Sequence, residues 1–343
     1  MLNARTTNLS RRGLLTAGGA ITLGVLLGAC GKGESDSTSG KKADGGPWSF
    51  TDDRNESVRT DATPKSIVAF TGTAAALVDF GVDKQIVGVF GETLLPSGEA
   101  DPQAGNLDVT GVEVLGNVWG EFSLDKYAAL NPDLLVTHMY DPGALWYVPD
   151  ESKDKILQLA PSVAITTARV SMTKPIERYA ELAASLGADL KSQANTAAKE
   201  RFDAAAEAVR AAVAANPGIK VLAASGSADV LYASNPQVNT DLMYFAELGV
   251  EIVRPDKLDA GDYYESLSWE NADKYPADLI LLDRRGVALQ PADLAAKPTW
   301  AQLPAVKAGQ ITGWDSVPRF SYAGAAPLLE SLAGAIRDAR KLA

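Results

Sequence analysis

Residues Leu190 to Asn216 read LKSQANTAAKERFDAAAEAVRAAVAAN and run directly into Pro217-Gly218. The stretch is rich in Ala, Glu, Lys and Arg and holds no Pro or Gly until that closing pair. Leu190, Ala194, Ala197, Ala198, Phe202, Ala205, Val209 and Val213 recur at roughly the helical period, which gives the segment one apolar face. About 26 residues of helix span about 39 Å, too long to pack inside one small lobe. The reading is therefore a rod that joins two bodies. Two lobes joined by a rigid rod leave a cleft between them, and such clefts are the usual place for a ligand.

Both flanks of the rod repeat one grammar: a short β-branched run, a loop, then an amphipathic segment. Before the rod, strands are expected at Ser66–Phe70, Ile86–Val89, Asp133–Thr137 and Ser162–Thr166. Helices are expected at Ala74–Phe80, which stops at Gly81, and at Leu124–Leu130, Lys153–Leu159 and about Ile176–Leu186. After the rod, strands fall at Lys220–Ala224, Glu251–Val253, Asp278–Asp283 and Gln310–Gly313. Helices fall there at Thr240–Leu248, Glu270–Lys274 and about Ala323–Leu342. Strands alternating with helices give an α/β fold with a mainly parallel sheet in each lobe. The expected division is 47–189 for the first lobe, 190–216 for the linking helix and 217–343 for the second lobe.

Residues 1–29 read as an address rather than as fold. Arg11-Arg12 precede an apolar run of 17 residues, Gly13–Ala29, diluted by five glycines and ending at Cys30. A charged start, a short apolar middle and small residues before a cleavage point make a signal peptide, and the paired arginines suggest twin-arginine export. Leu27-Gly28-Ala29-Cys30 resembles the lipobox of bacterial lipoproteins, in which the Cys is acylated. Residues 30–46 are rich in Gly, Ser, Lys and Asp and hold no large apolar side chain, the composition of a flexible tether. A lipid on Cys30, a tether and a folded body place the protein on the outer face of the cell membrane.

Composition narrows the chemistry. The 343 residues carry a net charge of −11. Residues 1–29 hold three arginines and no acid, so the rest of the chain carries −14. That surface repels phosphate backbones and removes nucleic acid as a partner. One Cys and one His exclude a disulfide framework and a Cys/His zinc site. No Gly-x-Gly-x-x-Gly follows a first strand, and there is no Walker loop, no Gly-x-Ser-x-Gly elbow and no carboxylate pair placed for acid–base work. An enzyme is therefore not the expectation, and no cofactor is expected.

From Ala62 to its C-terminus the chain is similar to the substrate-binding lipoproteins of ABC importers for iron-siderophores and cobalamin. The resemblance is carried by Thr63-Pro64-Lys65-Ser66-Ile67-Val68, Ala76-Leu77-Val78-Asp79-Phe80-Gly81-Val82, Ser123-Leu124-Asp125, Leu130-Asn131-Pro132-Asp133-Leu134, Ser268-Trp269-Glu270 and Trp300–Gly309. It implies two lobes bridged by one long helix, capture of a ferric siderophore and delivery to a membrane permease. Partners are then the siderophore, the permease subunits and, through Cys30, the membrane, with the protein acting as a monomer.

In α/β lobes the ligand meets loops at the carboxyl ends of strands. Those loops here hold His138, Tyr140, Trp146 and Tyr147, then Arg284 and Arg285, then Trp314, Arg319, Phe320 and Tyr322; Trp119 precedes the Leu124 helix and Tyr263 precedes the later strand. A ferric hydroxamate has negative oxygens around the metal and apolar linkers outside. Arg and Tyr donate to such oxygens and Trp covers the linkers, so a hydroxamate of ferrioxamine type is the favoured ligand. Phe320–Gly324 lies where the resembled family carries an aromatic-Tyr-Gly contact loop, and Trp119 falls where one type has its Arg. Arg284, Arg285 or Arg319 is then the polar anchor, although the first two could simply pair with Asp283 or Asp293. Tyr263-Tyr264 reads equally as a ligand wall or a surface strand pair. His138 reads as hydrogen-bonded structure or a single ligand contact rather than a metal site. Asp125 and Glu270 each follow a Ser by two residues at a helix start. Both suit the helix dipole, and the resemblance implies that they dock onto permease arginines. Cobalamin, haem, ferric citrate and catecholate siderophores are the alternative ligands.

Overall fold

Each half of the chain builds one sheet. A computed structural model describes residues 46–342, so the signal peptide, Cys30 and all but the last residue of the tether lie outside the described residues. A two-stranded antiparallel hairpin, β1 (Trp48–Thr51) and β2 (Ser57–Thr60), comes first. The first sheet contains β3 (Ile67–Phe70), β4 (Ile86–Phe90), β5 (Glu113–Val114), β6 (Leu134–Met139) and β7 (Ser162–Thr166). Its order is β5-β4-β3-β6-β7, and every pairing is parallel. Every residue of β3 and β6 is buried, as a parallel sheet covered on both faces requires.

The second sheet contains β8 (Lys220–Gly226), β9 (Val230–Ser234), β10 (Glu251–Ile252), β11 (Tyr264–Ser268), β12 (Leu279–Asp283) and β13 (Ile311–Trp314). Its order is β11-β9-β8-β12-β13, with β10 beside the start of β8. Strand β8 pairs parallel with β10 and β12, and β12 with β13, whereas β9 pairs antiparallel with both β8 and β11. The sheet is thus mainly parallel with an antiparallel edge. In β11 the buried Glu265 and Leu267 alternate with exposed Tyr264, Ser266 and Ser268, the pattern of a strand covered on one face only.

The linking helix spans Gln193–Ala215, 23 residues or about 34 Å. Ser192 starts it, its hydroxyl accepting from the Asn195 N–H at 3.2 Å. Phe202, Ala205, Ala206, Val209 and Ala212 form the buried face. That face packs along the terminal helix, Tyr322–Asp338. Lys199 lies over the Tyr322 ring at one end and Asn216 donates to the Ile336 carbonyl at the other, so the two helices run in the same direction. The largest core runs through both lobes by way of this pair, from Val136 and Ile165 through Phe202 and Val209 to Val221 and Leu281.

Main-chain hydrogen bonds also cross between the lobes. The Arg169 N–H donates to the Val238 carbonyl at 2.9 Å, and the Met172 N–H to the Thr240 carbonyl at 3.0 Å. The fold is α/β with two lobes, a long connecting helix and a cleft between them. Trp269 and Trp300, which lie inside the sequence motifs, are buried in the core of the second lobe. Among the described residues no helix is long and apolar enough to cross a membrane.

Candidate functional site

Between the lobes lies a cavity of about 540 Å³, in the size range of a small-molecule site. The first lobe contributes Tyr140, Asp141 and Trp146, which follow the carboxyl end of β6. Thr137 and His138 shape this loop: the Thr137 hydroxyl donates to the Trp146 carbonyl at 2.7 Å, and the Trp146 N–H donates to the His138 carbonyl at 3.0 Å. The chain is thereby folded back so that the Trp146 indole faces the cleft. Trp119 packs on Trp146 and Tyr147, with ring centres 4.9 and 5.0 Å away, and is 64% exposed. It extends the aromatic surface outward from the cavity without lining it.

The second lobe contributes Ser225–Ser227 at the end of β8, Tyr232 and Ser234 of β9, Tyr263, Tyr264, and the loops after β12 and β13. Arg285 is the cationic residue on this wall. Its guanidinium pairs with Asp283 at 2.7 Å, and the Ser225 hydroxyl donates to the same carboxylate at 2.9 Å. Trp314 is held by its indole N–H, which donates to the buried Asp241 at 2.5 Å. Burial pushes the Asp241 carboxyl up to about 7 even though that hydrogen bond opposes the shift. Asp141 is paired outside the cavity with Arg169 at 3.0 Å. Both acids on the wall are therefore matched by a cation, and what remains is neutral: serines, Asn239, tyrosines and indoles.

Tyr140, Trp146, Tyr263, Arg285 and Trp314 of the sequence-predicted set come together on the wall. Tyr263 and Tyr264 both line it, and Tyr264 also opens β11, so the ligand-wall and strand readings describe one place. Arg285 likewise pairs with Asp283 and faces the cavity. Arg284 turns the other way, onto Asp315 at 2.7 Å, and lines a separate small recess with Arg319. Arg319 reaches Asp79 of the first lobe at 3.4 Å, and the Ser321 hydroxyl donates to that carboxylate at 2.5 Å. Gly105, at φ +55°, leaves the room this guanidinium needs: an added Cβ would sit 1.8 Å from its Nη1.

Four other expected residues do not line the cavity. Tyr147 is buried, at φ +62°, and its hydroxyl donates to Glu92. Phe320 is fully buried against His138 and Tyr179. Tyr322 packs on Phe80 and Phe202 beside the linking helix. His138 sits in an aromatic box of Phe70, Phe320, Tyr179 and Tyr140, with centres 5.0 to 6.0 Å away. Neither ring nitrogen has a hydrogen-bond partner, and burial drives its pKa down to about 3. It is a neutral core residue here, neither hydrogen-bonded nor on the wall.

Asp125 stands exposed in the first turn of the Leu124–Ala129 helix, where the Ser123 hydroxyl accepts from the Lys126 N–H at 3.4 Å. Glu270 stands exposed on the 3₁₀ turn Trp269–Asn271. Hydrogen bonds from its own N–H and from Ser268 hold its carboxyl below the usual range. Sequence reading missed Asp141, Ser225, Ser227, Tyr232, Ser234, Asn239, Asp283, Val287 and Ser316. The signal for Tyr232 and Ser234 was present in the apolar run Val230-Leu231-Tyr232-Ala233, which is β9. Among the described residues no group of three or more His, Cys, Asp or Glu side chains could hold a metal ion.

An interlobe cleft between two parallel-sheet lobes is the architecture of an extracytoplasmic binding protein. Residues 67–318 match the periplasmic binding protein family, and the chain belongs to it. Its structure is similar to that of DesE, a ferric-siderophore receptor protein from Streptomyces coelicolor. The two share 51% identity and a TM-score of 0.83, over 86% of this chain and all of that one. The fold also matches YclQ, a petrobactin-binding protein from Bacillus subtilis, at 17% identity, TM-score 0.60, 85% of this chain and 98% of that one. PiuA, an iron-uptake ABC transporter substrate-binding protein from Streptococcus pneumoniae, matches at 20% identity, TM-score 0.57, 85% and 96%. No curated protein matches the chain.

Proposed function

We propose that this protein captures a ferric siderophore of hydroxamate type in the interlobe cavity and hands it to an ABC permease. The observation that carries the reading is the charge balance of the wall. Arg285 is matched by Asp283 and Asp141 by Arg169, while hydroxyl, amide and indole groups surround them. A wall without free cations suits a chelate whose iron charge is cancelled by its own oxygens. A tris-hydroxamate of Fe³⁺ is such a complex. A tris-catecholate carries three net negative charges and would leave them uncompensated in a partly desolvated cleft. Trp146 offers a flat apolar face to the linkers, the buried Trp314 backs the opposite wall, and Arg285 keeps N–H groups for the hydroxamate oxygens. The 51% identity to a ferric-siderophore receptor supports the iron-chelate part of this reading.

The rest of the proposal follows the chain. Residues 1–29 export the protein through the twin-arginine route, Cys30 carries the lipid anchor and residues 30–46 form the tether. Segments 47–189, 190–216 and 217–343 act as first lobe, linking helix and second lobe of a monomer. Asp125 and Glu270, exposed on opposite lobes, dock onto permease arginines. In this reading the ligand is bound and released unchanged.

Tryptophan fluorescence tests the ligand class, because Trp146 and Trp314 line the cavity and Trp119 touches Trp146. Ferrioxamine B or ferrichrome should quench it saturably at sub-micromolar concentration, and the iron-free forms far less. Quenching by haem or cobalamin alone would overturn the siderophore reading and leave the binding-protein reading standing.

A further inference from the structure

Arg169 lies outside the cavity, in the loop between β7 and the Thr173–Ser185 helix, and it holds a left-handed backbone conformation at φ +60°. A long non-glycine side chain pays a steric cost there, so something must hold it in place. Its guanidinium meets both lobes at once. On the first lobe, Nη1 donates to the Tyr140 carbonyl at 3.1 Å and to the Asp141 carboxylate at 3.0 Å. On the second, Nη1 donates to the Tyr263 hydroxyl at 2.8 Å and Nη2 to the Gly261 carbonyl at 2.8 Å. The charge also sits 5.0 Å from the centre of the Tyr263 ring. The Tyr263 hydroxyl completes the knot by donating to the Tyr140 carbonyl at 3.0 Å. Tyr140, Asp141 and Tyr263 all line the cavity.

We propose that Arg169 is a positioning residue: a clasp across the cleft that fixes Tyr140 and Tyr263 as one wall and must let go when the lobes part. The planar fork explains the residue type, since one guanidinium serves two carbonyls, a carboxylate and a phenol, whereas an ammonium cannot span them. The clasp also separates two tyrosines that the sequence treats alike. The Tyr263 hydroxyl is spent on the clasp, accepting from Arg169 and donating to Tyr140, so Tyr263 offers the ligand its ring. The Tyr140 hydroxyl is buried and has no hydrogen-bond partner, so it takes no part in the clasp. As a half-exposed knot the clasp is strong enough to bias the lobes and weak enough to open.

The role of the clasp in ligand exchange rests on the siderophore reading, whereas its role in holding the lobes does not, and the test separates the two. Spin labels at Lys155→Cys and Lys307→Cys, exposed on opposite lobes, in a Cys30→Ser background report the interlobe distance without ligand. Arg169→Ala should broaden that distribution, and Arg169→Lys should recover only part of it. Arg169→Gly, which relieves the backbone strain but removes the fork, should behave like the alanine variant. In stopped-flow fluorescence with ferrioxamine B, Arg169→Ala should raise both association and dissociation rates, the latter about tenfold. Unchanged distance distributions in all three variants would overturn the clasp. Broadened distributions without ferrioxamine binding to any form would keep the clasp and overturn the ligand class. Arg169→Gly matching the unaltered protein would reduce Arg169 to a backbone role and overturn the proposal as well.

Discussion

Arg284 and Arg285 show what one position along a chain decides. Neighbouring residues leave the end of a strand on opposite sides, so Arg285 faces the cavity and Arg284 turns to Asp315. Sequence supplied the residue type and the loop, and the side followed only from the register of β12. His138 and Tyr140 are separated by the strand end instead: the former lies within β6 and is walled in by aromatics, while the latter lies just beyond the strand and lines the cleft. Arg285→Ala should weaken hydroxamate binding by about tenfold or more and cost about 1–3 kcal/mol of stability, because Asp283 stays buried without its cation. Calorimetry with urea unfolding checks both effects. Asp241 gives a pH signature. Its pKa is raised to about 7 in the folded protein, against about 3.9 for a free side chain. The folded state therefore holds a proton that the unfolded chain releases. The stability this contributes is complete below about pH 4 and is lost as pH rises through about 7. Asp241→Asn should remove that dependence. Urea midpoints of the two forms at pH 5 and pH 8 would contradict it by running parallel.

At the scale of elements, the linking helix was the most legible part, because 23 residues of uninterrupted apolar period admit no other structure. The buried strands β3, β6, β7 and β12 were legible as apolar runs for the same reason. The hairpin of β1 and β2 and the antiparallel pair of β9 and β11 were not, since runs of four or five residues, apolar in β9 and alternating in β1 and β11, are too short to be told from loop by pattern alone. That gap removed Tyr232 and Ser234 from the expected site. Phe202 joins the elements that hold the lobes. It stacks on Tyr244 at 5.7 Å and meets Tyr322 at 5.5 Å, tying the linking helix to the second lobe and to the terminal helix. Phe202→Ala should lower unfolding stability by about 3–5 kcal/mol. A urea midpoint close to that of the unaltered protein would show that this contact is dispensable.

At the scale of the whole molecule, three features resist large opening: a continuous helix pair, one core running through both lobes, and main-chain hydrogen bonds from Arg169 and Met172 to Val238 and Thr240. Bending the linking helix breaks its own hydrogen bonds, so motion is confined to small rocking about these contacts. Small-angle scattering should therefore change little when ligand is added, and a marked compaction would contradict the rigid-rod account. What the cleft accepts decides the function. Titration calorimetry of one preparation with a neutral ferric tris-hydroxamate and with an anionic ferric tris-catecholate tests it directly. A neutral, donor-lined wall predicts sub-micromolar affinity for the hydroxamate and at least about a hundredfold weaker binding of the catecholate, worth about 2.7 kcal/mol. Equal affinities, or a preference for the catecholate, would contradict it.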